Sequence, residues 1–164
     1  MTEDRIKLLQ SMPVFGAANE DTLAFIVERS RAFTVLAGEY FFHEGAEASA
    51  MMVLEAGSVE IVRAHDGEQI RLATLGAGDC FGEMALIECR NRSASVRALE
   101  DCTALEVPLE ILHALYERDL EQFVLIEMNI AREISRRLRE ASDQMFEAKA
   151  AARDFGGDTG WYLV

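Results

Sequence analysis

The amino-acid sequence predicts an α+β fold with short helices at the N-terminus, a β-sandwich or barrel in the middle and a long helix at the C-terminus. Between Arg5 and Arg31 the apolar residues recur at helical spacing. The next segments are short and rich in Val, Ile, Phe and Thr, and a glycine interrupts them about every ten residues, as in β-hairpins. From Leu109 to about Ala152 there is neither glycine nor proline, and helical spacing returns.

Short sequence motifs predict where individual helices, strands and turns lie. Asn19 and the carboxylates after it are suited to the start of the second main helix. Ser58–Arg63 alternates polar and apolar residues, and Asp66-Gly67 marks a tight turn before the strand Gln69–Leu75. Two further strands are predicted, at Ser95–Leu99 and Thr103–Val107.

These signals divide the chain into four consecutive parts. We expect an N-terminal helical segment over 1–32, a β-rich part over 33–108, C-terminal helices over 109–153 and a flexible tail over 154–164. A short helix from Leu109 precedes the long one. The tail combines several glycines with an apolar end.

Composition restricts the partners of the chain. Its 164 residues, 50% of them hydrophobic, suffice for one core. A formal net charge of −13 disfavours DNA, RNA and anionic membranes as partners. Neither a secretory signal nor a membrane span is apparent. The three cysteines, Cys80, Cys89 and Cys102, lack paired spacing, which is typical of reduced thiols and not of a disulfide framework. We therefore expect a cytoplasmic protein without nucleic-acid or membrane partners.

The segment from Phe81 to Ala98 contains the residues best suited to bind a small anion. A short helix starting near Glu83 would direct backbone N–H groups at a phosphate. Arg92 could bind that phosphate through a bidentate fork, and Ser93 could add a hydroxyl donor. A carboxylate beside a phosphate is favourable only if it accepts hydrogen bonds, and ribose hydroxyl groups could donate them. Glu83 with Arg92 thus predicts a site for a sugar and a phosphate.

This segment resembles the phosphate-binding cassette of the cyclic nucleotide-binding domain family. The similar residues are Phe81-Gly82-Glu83-Met84-Ala85-Leu86 followed by Arg92-Ser93-Ala94-Ser95-Val96. Ala37–Gly45 is similar to a glycine turn of the family, and the resemblance extends from Phe33 into the long helix. Asn91 stands where many members have proline, and Met84 where Leu or Ile is usual. The resemblance implies a jelly-roll-like β-roll, a double-stranded β-helix.

The resemblance also implies roles for the cassette residues. Gly82 and Glu83 would bind the ribose and cyclic phosphate, Arg92 would pair with the phosphate, and Ser93 and Ala94 would add hydroxyl and backbone donors. Further candidate contacts are Phe81, Met84, Ala85 and Leu72. The expected ligand is cAMP or cGMP, with cAMP favoured, and no metal or other cofactor is expected.

Simpler interpretations of these residues stay open. Arg92 could form a surface ion pair, and Glu83 could be an ordinary acidic residue of a first helical turn. Of Ser93 and Ser95, only one is expected to face the ligand, and we favour Ser93. The three histidines are scattered, and no catalytic triad, carboxylate pair or P-loop is apparent, so we do not expect an enzyme.

The long helix carries a heptad pattern that permits dimerisation. One heptad position is apolar or small throughout: Val124, Ala131, Leu138, Met145 and Ala152. A second holds Ile134, Ala141 and Ala148, and Glu127 interrupts it. A homodimer seam and packing onto the parent domain both stay open, while Leu120, Phe123 and Ile130 offer a separate apolar face for the β-roll.

The family resemblance favours the homodimer. In its bacterial activators this helix carries Arg-Arg-Leu and then hydroxyl residues that touch adenine across the dimer, and Arg136-Arg137-Leu138 followed by Ser142 is similar. Arg137 and Ser142 are therefore expected near the base, although Ala141 stands where the activator has a hydroxyl. Without a dimer, Trp161 or Tyr162 of the tail would be the better candidate to cover the base.

These observations predict a regulatory sensor of a cyclic nucleotide that acts through conformational change or contact with a downstream protein. Only a short tail follows the long helix, so we expect a stand-alone domain without a helix-turn-helix. One alternative is an interaction module with the same fold that works without ligand. Another is a DNA-linked regulator whose reader domain lies in another chain, which an electrophoretic shift with total DNA would reveal.

Overall fold

The computed structural model describes residues 2–88 and 90–154, and it begins with the expected short helices. These are α1 (Thr2–Ser11), a 3-10 turn (Pro13–Phe15) and α2 (Glu20–Arg29). The Asn19 side chain accepts a hydrogen bond of 2.8 Å from the Thr22 backbone N–H, which caps α2 at the predicted position.

Among the described residues, eight strands form two antiparallel sheets of four strands each. The first sheet has the order β1 (Arg31–Val35), β8 (Cys102–Pro108), β3 (Ala50–Ala56), β6 (Cys80–Phe81). The second has the order β2 (Tyr40–Phe42), β7 (Ser95–Ala98), β4 (Ser58–His65), β5 (Glu68–Gly76). Asp66 and Gly67 both have positive φ between β4 and β5, as a type I′ hairpin turn requires, which confirms the tight turn predicted there.

The hydrophobic core lies between the inner faces of the two sheets. Its buried members come from both sheets: Val35, Ala50, Met52, Leu54, Val59, Phe81, Val96, Ala98, Cys102 and Ala104. Phe81 is fully enclosed and meets Phe41 edge to face at 5.1 Å between ring centroids. The end of β6 is therefore anchored in the core immediately before the candidate cassette.

Three more helices complete the described chain: α3 (Glu83–Glu88), α4 (Leu109–Arg118) and α5 (Leu120–Asp154). Two sheets with helices before and after them confirm the predicted α+β architecture. Contacts along the chain divide it into two compact units, one ending at Ile130 and the other beginning at Ala131. Within residues 2–88 and 90–154, no helix combines the length and apolar character needed to cross a membrane.

Gly57 connects β3 to β4 at a point where only a residue without a side chain fits. Its φ is +91°, and a Cβ built there would lie 2.6 Å from Cys102 Sγ and 2.9 Å from the Asp101 carbonyl oxygen. The glycine is required both for its backbone conformation and for the close approach of β8.

We predict that Gly57→Ala lowers the free energy of unfolding by about 2–4 kcal/mol. The new Cβ would be overpacked against Cys102, and alanine would also be strained in the left-handed backbone conformation of this position. Gly67→Ala is the matched control, because its φ is +82° with no heavy atom within 4 Å of the new Cβ. The control should lose only about 1 kcal/mol. Urea denaturation of both variants measures the difference, and equal losses would contradict the close approach.

Candidate functional site

The candidate cassette lies where β6 leaves the core and β7 enters it. β6 ends at Phe81, Gly82 follows with φ +82°, and α3 begins at Glu83. Arg92 reaches back across this turn, and its Nη1 donates a hydrogen bond of 3.0 Å to the Gly82 carbonyl oxygen. The fold thus brings Gly82, Glu83 and Arg92 together, as the sequence pattern predicts.

Arg92 is the central feature of this site because its guanidinium is buried. The residue is only 6% exposed, and its Nη2 donates to the Ala50 carbonyl oxygen at 2.7 Å. Its Cζ lies 4.0 Å from the centroid of the Phe42 ring, a cation–π geometry. Among the described residues, its buried Nε has no hydrogen-bond partner.

The electrostatic surroundings of Arg92 combine burial with two nearby carboxylates. Burial lowers the pKa of its guanidinium, and the negative charges of Glu106 and Glu83 act in the opposite direction. In the described part of the chain, its hydrogen bonds run to backbone carbonyls and not to a carboxylate. A buried cation with one unsatisfied donor is stabilised by an anion that accepts from that donor.

The backbone around Arg92 is held on both sides. Gly45 N–H donates to the Arg92 carbonyl oxygen at 2.8 Å, and Arg92 N–H donates to the Ala46 carbonyl oxygen at 2.9 Å. The segment 43–46 therefore fixes the residue from which the guanidinium extends. The sequence did not predict Phe42, Ala46 and Ala50 as partners of Arg92, because they contact it only in the folded chain.

The two serines of the cassette have different surroundings. Ser95 is buried, and its Oγ accepts a hydrogen bond of 2.8 Å from the Glu44 backbone N–H. Ser93 is exposed beside Arg92, and Ala94 is buried between them. Ser95 thus has a structural partner, which supports Ser93 as the hydroxyl available to a ligand.

The other cassette candidates occupy distinct positions. Glu83 is 2% exposed at the first residue of α3, whereas the Met84 side chain is half-exposed. Ala85 lies in the same helix. Leu72 is half-exposed on β5, which is separated from β7 by β4 in the second sheet.

A cavity of about 540 Å³ lies beside α3 in the same unit. Its walls come from α3, α4 and the part of α5 that precedes Ala131. The lining residues are Glu83, Ile87, Leu109, Leu112, His113, Tyr116, Phe123, Glu127 and Ile130. The sequence pattern predicted an apolar face that includes Phe123 and Ile130, but it did not predict this cavity.

The remaining sequence candidates lie in the second unit. Arg137 Nε donates to Glu133 Oε1 at 2.8 Å, and Ser142 is exposed on α5. Arg136 also donates to Glu133, at 2.6 Å from Nη2. Their predicted position near a base stays a prediction, and Trp161 and Tyr162 lie outside the described residues.

Within the described part of the chain, no group of three or more His, Cys, Asp or Glu side chains could hold a metal ion. Cys80 and Cys102 are buried, and Cys89 lies outside the described residues. The described cassette contains hydrogen-bond donors and the Glu83 carboxylate, groups that can bind a sugar and a phosphate.

Comparison with known proteins identifies the family pattern. Residues 32–119 match the family described as "Cyclic nucleotide-binding domain". The Cyclic AMP receptor protein of Thermus thermophilus is 40% identical over 105 residues, which make up 63% of this chain and 47% of that protein. Glutaminase 2 of Bradyrhizobium diazoefficiens is 37% identical over 134 residues, 82% of this chain but 21% of the glutaminase. The chain thus spans less than half of the length of either relative.

A solved structure confirms the predicted β-roll. The cyclic nucleotide-binding domain from Methylobacillus flagellatus matches with a TM-score of 0.82, and the match covers 99% of this chain and 86% of that one. Its sequence is 16% identical, so this likeness establishes the fold alone.

The contacts of Glu133 predict an acid-sensitive contribution to stability. Hydrogen bonds from Arg136, and the charges of Arg136 and Arg137, lower the pKa of the Glu133 carboxyl. A carboxyl with a lowered folded-state pKa adds stability above its unfolded pKa, and this stability is lost as the pH falls through the folded value. Glu133→Gln should cost about 0.5–1 kcal/mol near pH 7 and nearly nothing near pH 3.

Urea denaturation at the two pH values measures this difference. The control is Glu147→Gln, at an exposed position of the same helix, which should change the free energy of unfolding by less than about 0.5 kcal/mol at both. A cost for Glu133→Gln that is as large near pH 3 as near pH 7 would contradict the proposed ion pairs.

Proposed function

Because this chain belongs to the cyclic nucleotide-binding domain family, we propose that it is a regulatory protein that senses a cyclic nucleotide through the segment from Phe81 to Ala98. The observation that carries this proposal is the buried Arg92 guanidinium, whose Nε lacks a partner among the described residues, close to the buried Glu83. A sensor of this kind requires binding and a change of state, and it needs no catalytic residue.

Arg92 supplies the charge that a cyclic phosphate requires. Its Nη1 and Nη2 are engaged by backbone carbonyls, so the orientation of the guanidinium is set before a ligand arrives. Such preorganisation reduces the entropic cost of binding. The exposed Ser93 hydroxyl and the backbone N–H of Ala94 would complete the phosphate contacts.

Glu83 supplies the acceptor that ribose requires. Its carboxylate is buried and contributes to the electrostatic environment of Arg92. A ribose hydroxyl can donate to a carboxylate, whereas a phosphate cannot. Gly82 and the adjoining Phe81, Met84 and Ala85 would shape the walls of this site, with Leu72 as a more distant contact.

We favour cAMP as the ligand over cGMP. The Thermus relative that is 40% identical over the shared region is named a cyclic AMP receptor protein. Arg137 and Ser142 would contact the base across a homodimer, because a serine hydroxyl can accept a hydrogen bond from the adenine amino group. The cytoplasm is the compartment that we propose, and the output would be a contact with a downstream protein.

A homodimer formed through α5 is the assembly that we propose. In the second unit, Leu138 is 70% exposed and Met145 is half-exposed, and both belong to one heptad position. Pairing two such helices would cover these side chains. When the nucleotide binds, the pairing of the two α5 helices would change, and this change would act as the switch.

We predict that Arg92→Ala lowers cyclic nucleotide affinity by about thirtyfold to a thousandfold, because it removes a charge-assisted contact worth about 2–4 kcal/mol. Arg90→Ala is the matched control, since Arg90 is exposed two positions earlier and carries the same charge. Its affinity should change by less than about threefold. Titration calorimetry with cAMP and cGMP measures both variants.

Arg92 is buried, so the alanine variant also needs a test of folding. Circular dichroism and urea denaturation check this, and Arg92→Lys keeps the charge but loses the fork, so its affinity should be intermediate. A folded Arg92→Ala protein with unchanged affinity would reject the proposed site. Absence of binding by both nucleotides to wild type would favour the ligand-independent interaction module.

We further predict that Leu138→Asp converts a nucleotide-bound dimer into a monomer, because a buried carboxylate at a seam is destabilising by several kcal/mol. Ala150→Asp is the control, since it adds the same charge at an exposed position off both heptad series. Sedimentation velocity at saturating cAMP measures the assembly. A monomeric wild type under these conditions would contradict the seam.

Ser142→Ala should weaken cAMP binding by about fivefold to tenfold if the hydroxyl contacts the base.

A further inference from the structure

The cavity beside α3 has the size of a small-molecule site and is partly open to solvent. Its volume of about 540 Å³ lies inside the range of roughly 300–1,000 Å³ found for ligand pockets. Arg92, Ser93 and Ala94 of the cassette are not among the residues that line it. Glu83 borders the cavity, but the other walls come from α3, α4 and α5.

Much of the cavity lining is apolar and aromatic. Leu112 and Ile130 are buried at 3% and 1% exposure, so they can form a dry floor. Tyr116 and Phe123 stand edge to face, with 5.4 Å between ring centroids. Aromatic rings in this arrangement offer both an apolar surface and the negative face that attracts cations.

The lining of the cavity also carries negative charge. Glu127 is half-buried in the wall, and it has no hydrogen-bond or ion-pair partner in the described part of the chain. Desolvation alone raises the pKa of its carboxyl. Glu127 is also the residue that interrupts the second heptad series, so its position on α5 is not explained by helix pairing.

The described lining contains no lysine or arginine that could neutralise Glu127. His113 is the one basic side chain among these lining residues, and its Nε2 lies 3.7 Å from Glu117, the next turn of the same helix. A half-buried carboxylate against an apolar wall is costly unless a cation joins it. The complementary ligand has a positive head and an apolar body.

We propose that this cavity is a second ligand site, separate from the cyclic nucleotide cassette, that binds a small amphipathic organic cation. The ammonium group would pair with the Glu127 carboxylate and lie against the Tyr116 ring. An aromatic or branched alkyl body would pack on Leu112 and Ile130. The net charge of −13 raises the local concentration of such cations near the protein.

The test uses 2-phenylethylammonium as the probe and 2-phenylethanol as its uncharged isostere. We expect the ammonium to bind at least about tenfold more tightly to the full chain, measured by titration calorimetry, since a charge-assisted pair contributes about that factor. Methyl NMR shifts at Leu112 and Ile130 would place the probe in the cavity.

Glu127→Gln keeps the shape of the side chain and removes its charge. It should lower the ammonium affinity by about tenfold or more while leaving that of the alcohol unchanged. Glu121→Gln is the matched control, because Glu121 is exposed on the same helix and does not line the cavity. It removes the same charge and should change the affinity by less than about twofold.

Tyr116→Leu gives a second, independent variant that keeps the cavity apolar. It should weaken ammonium binding more than alcohol binding, because only the cation uses the face of the ring. Cyclic nucleotide affinity should be unchanged in Glu127→Gln, so failure of this site is distinguishable from failure of the cassette. Equal binding of the two probes, no methyl shifts in the cavity, or an ammonium affinity that survives Glu127→Gln would each overturn the proposal.

Discussion

The candidate site depends on the burial of one guanidinium ion. Removing a charge from water costs several kcal/mol, and Arg92 recovers part of this through two carbonyl acceptors and the face of an aromatic ring. These partners come from both sheets or their connections: Ala50 begins β3, Gly82 follows β6, and Phe42 ends β2. Arg92 is in place only when the two sheets have come together, so its position reports the completed β-roll.

Gly82 makes this arrangement sterically feasible. A Cβ at that residue would lie 2.5 Å from Arg92 Nη1 and 3.4 Å from Phe42 Cε1, and its φ of +82° is one that other residues rarely adopt. The glycine therefore serves the packing of the guanidinium as well as the turn into α3. Because Gly82 has no side chain, the Arg92 guanidinium can reach the Gly82 carbonyl oxygen. The same lack of a side chain would let a phosphate approach the backbone at this residue.

The short helix α3 is where the two proposed sites meet. Its first residue, Glu83, belongs to the cassette and also borders the cavity formed with α4 and α5. A ligand that moved α3 in one site would alter the walls of the other, which is the physical basis on which two ligands could influence each other's affinity. Glu127 interrupts the heptad pattern of α5, and it also lines the cavity.

The sequence by itself determined the order of the elements and the identity of the cassette, because these depend on local chemistry. Helical spacing, the Asn19 cap, the Asp66-Gly67 turn and the Gly82-Glu83 and Arg92-Ser93 pattern are readable without a fold. The family match over residues 32–119 and the two sheets agree with that reading. Only the tertiary structure decided that Ser95 has a backbone partner in Glu44, that Phe42 and Ala50 hold Arg92, and that Glu127 faces an apolar cavity. Those facts join residues far apart in the chain, and the periodicity of a single segment carries no information about which distant segment will pack against it.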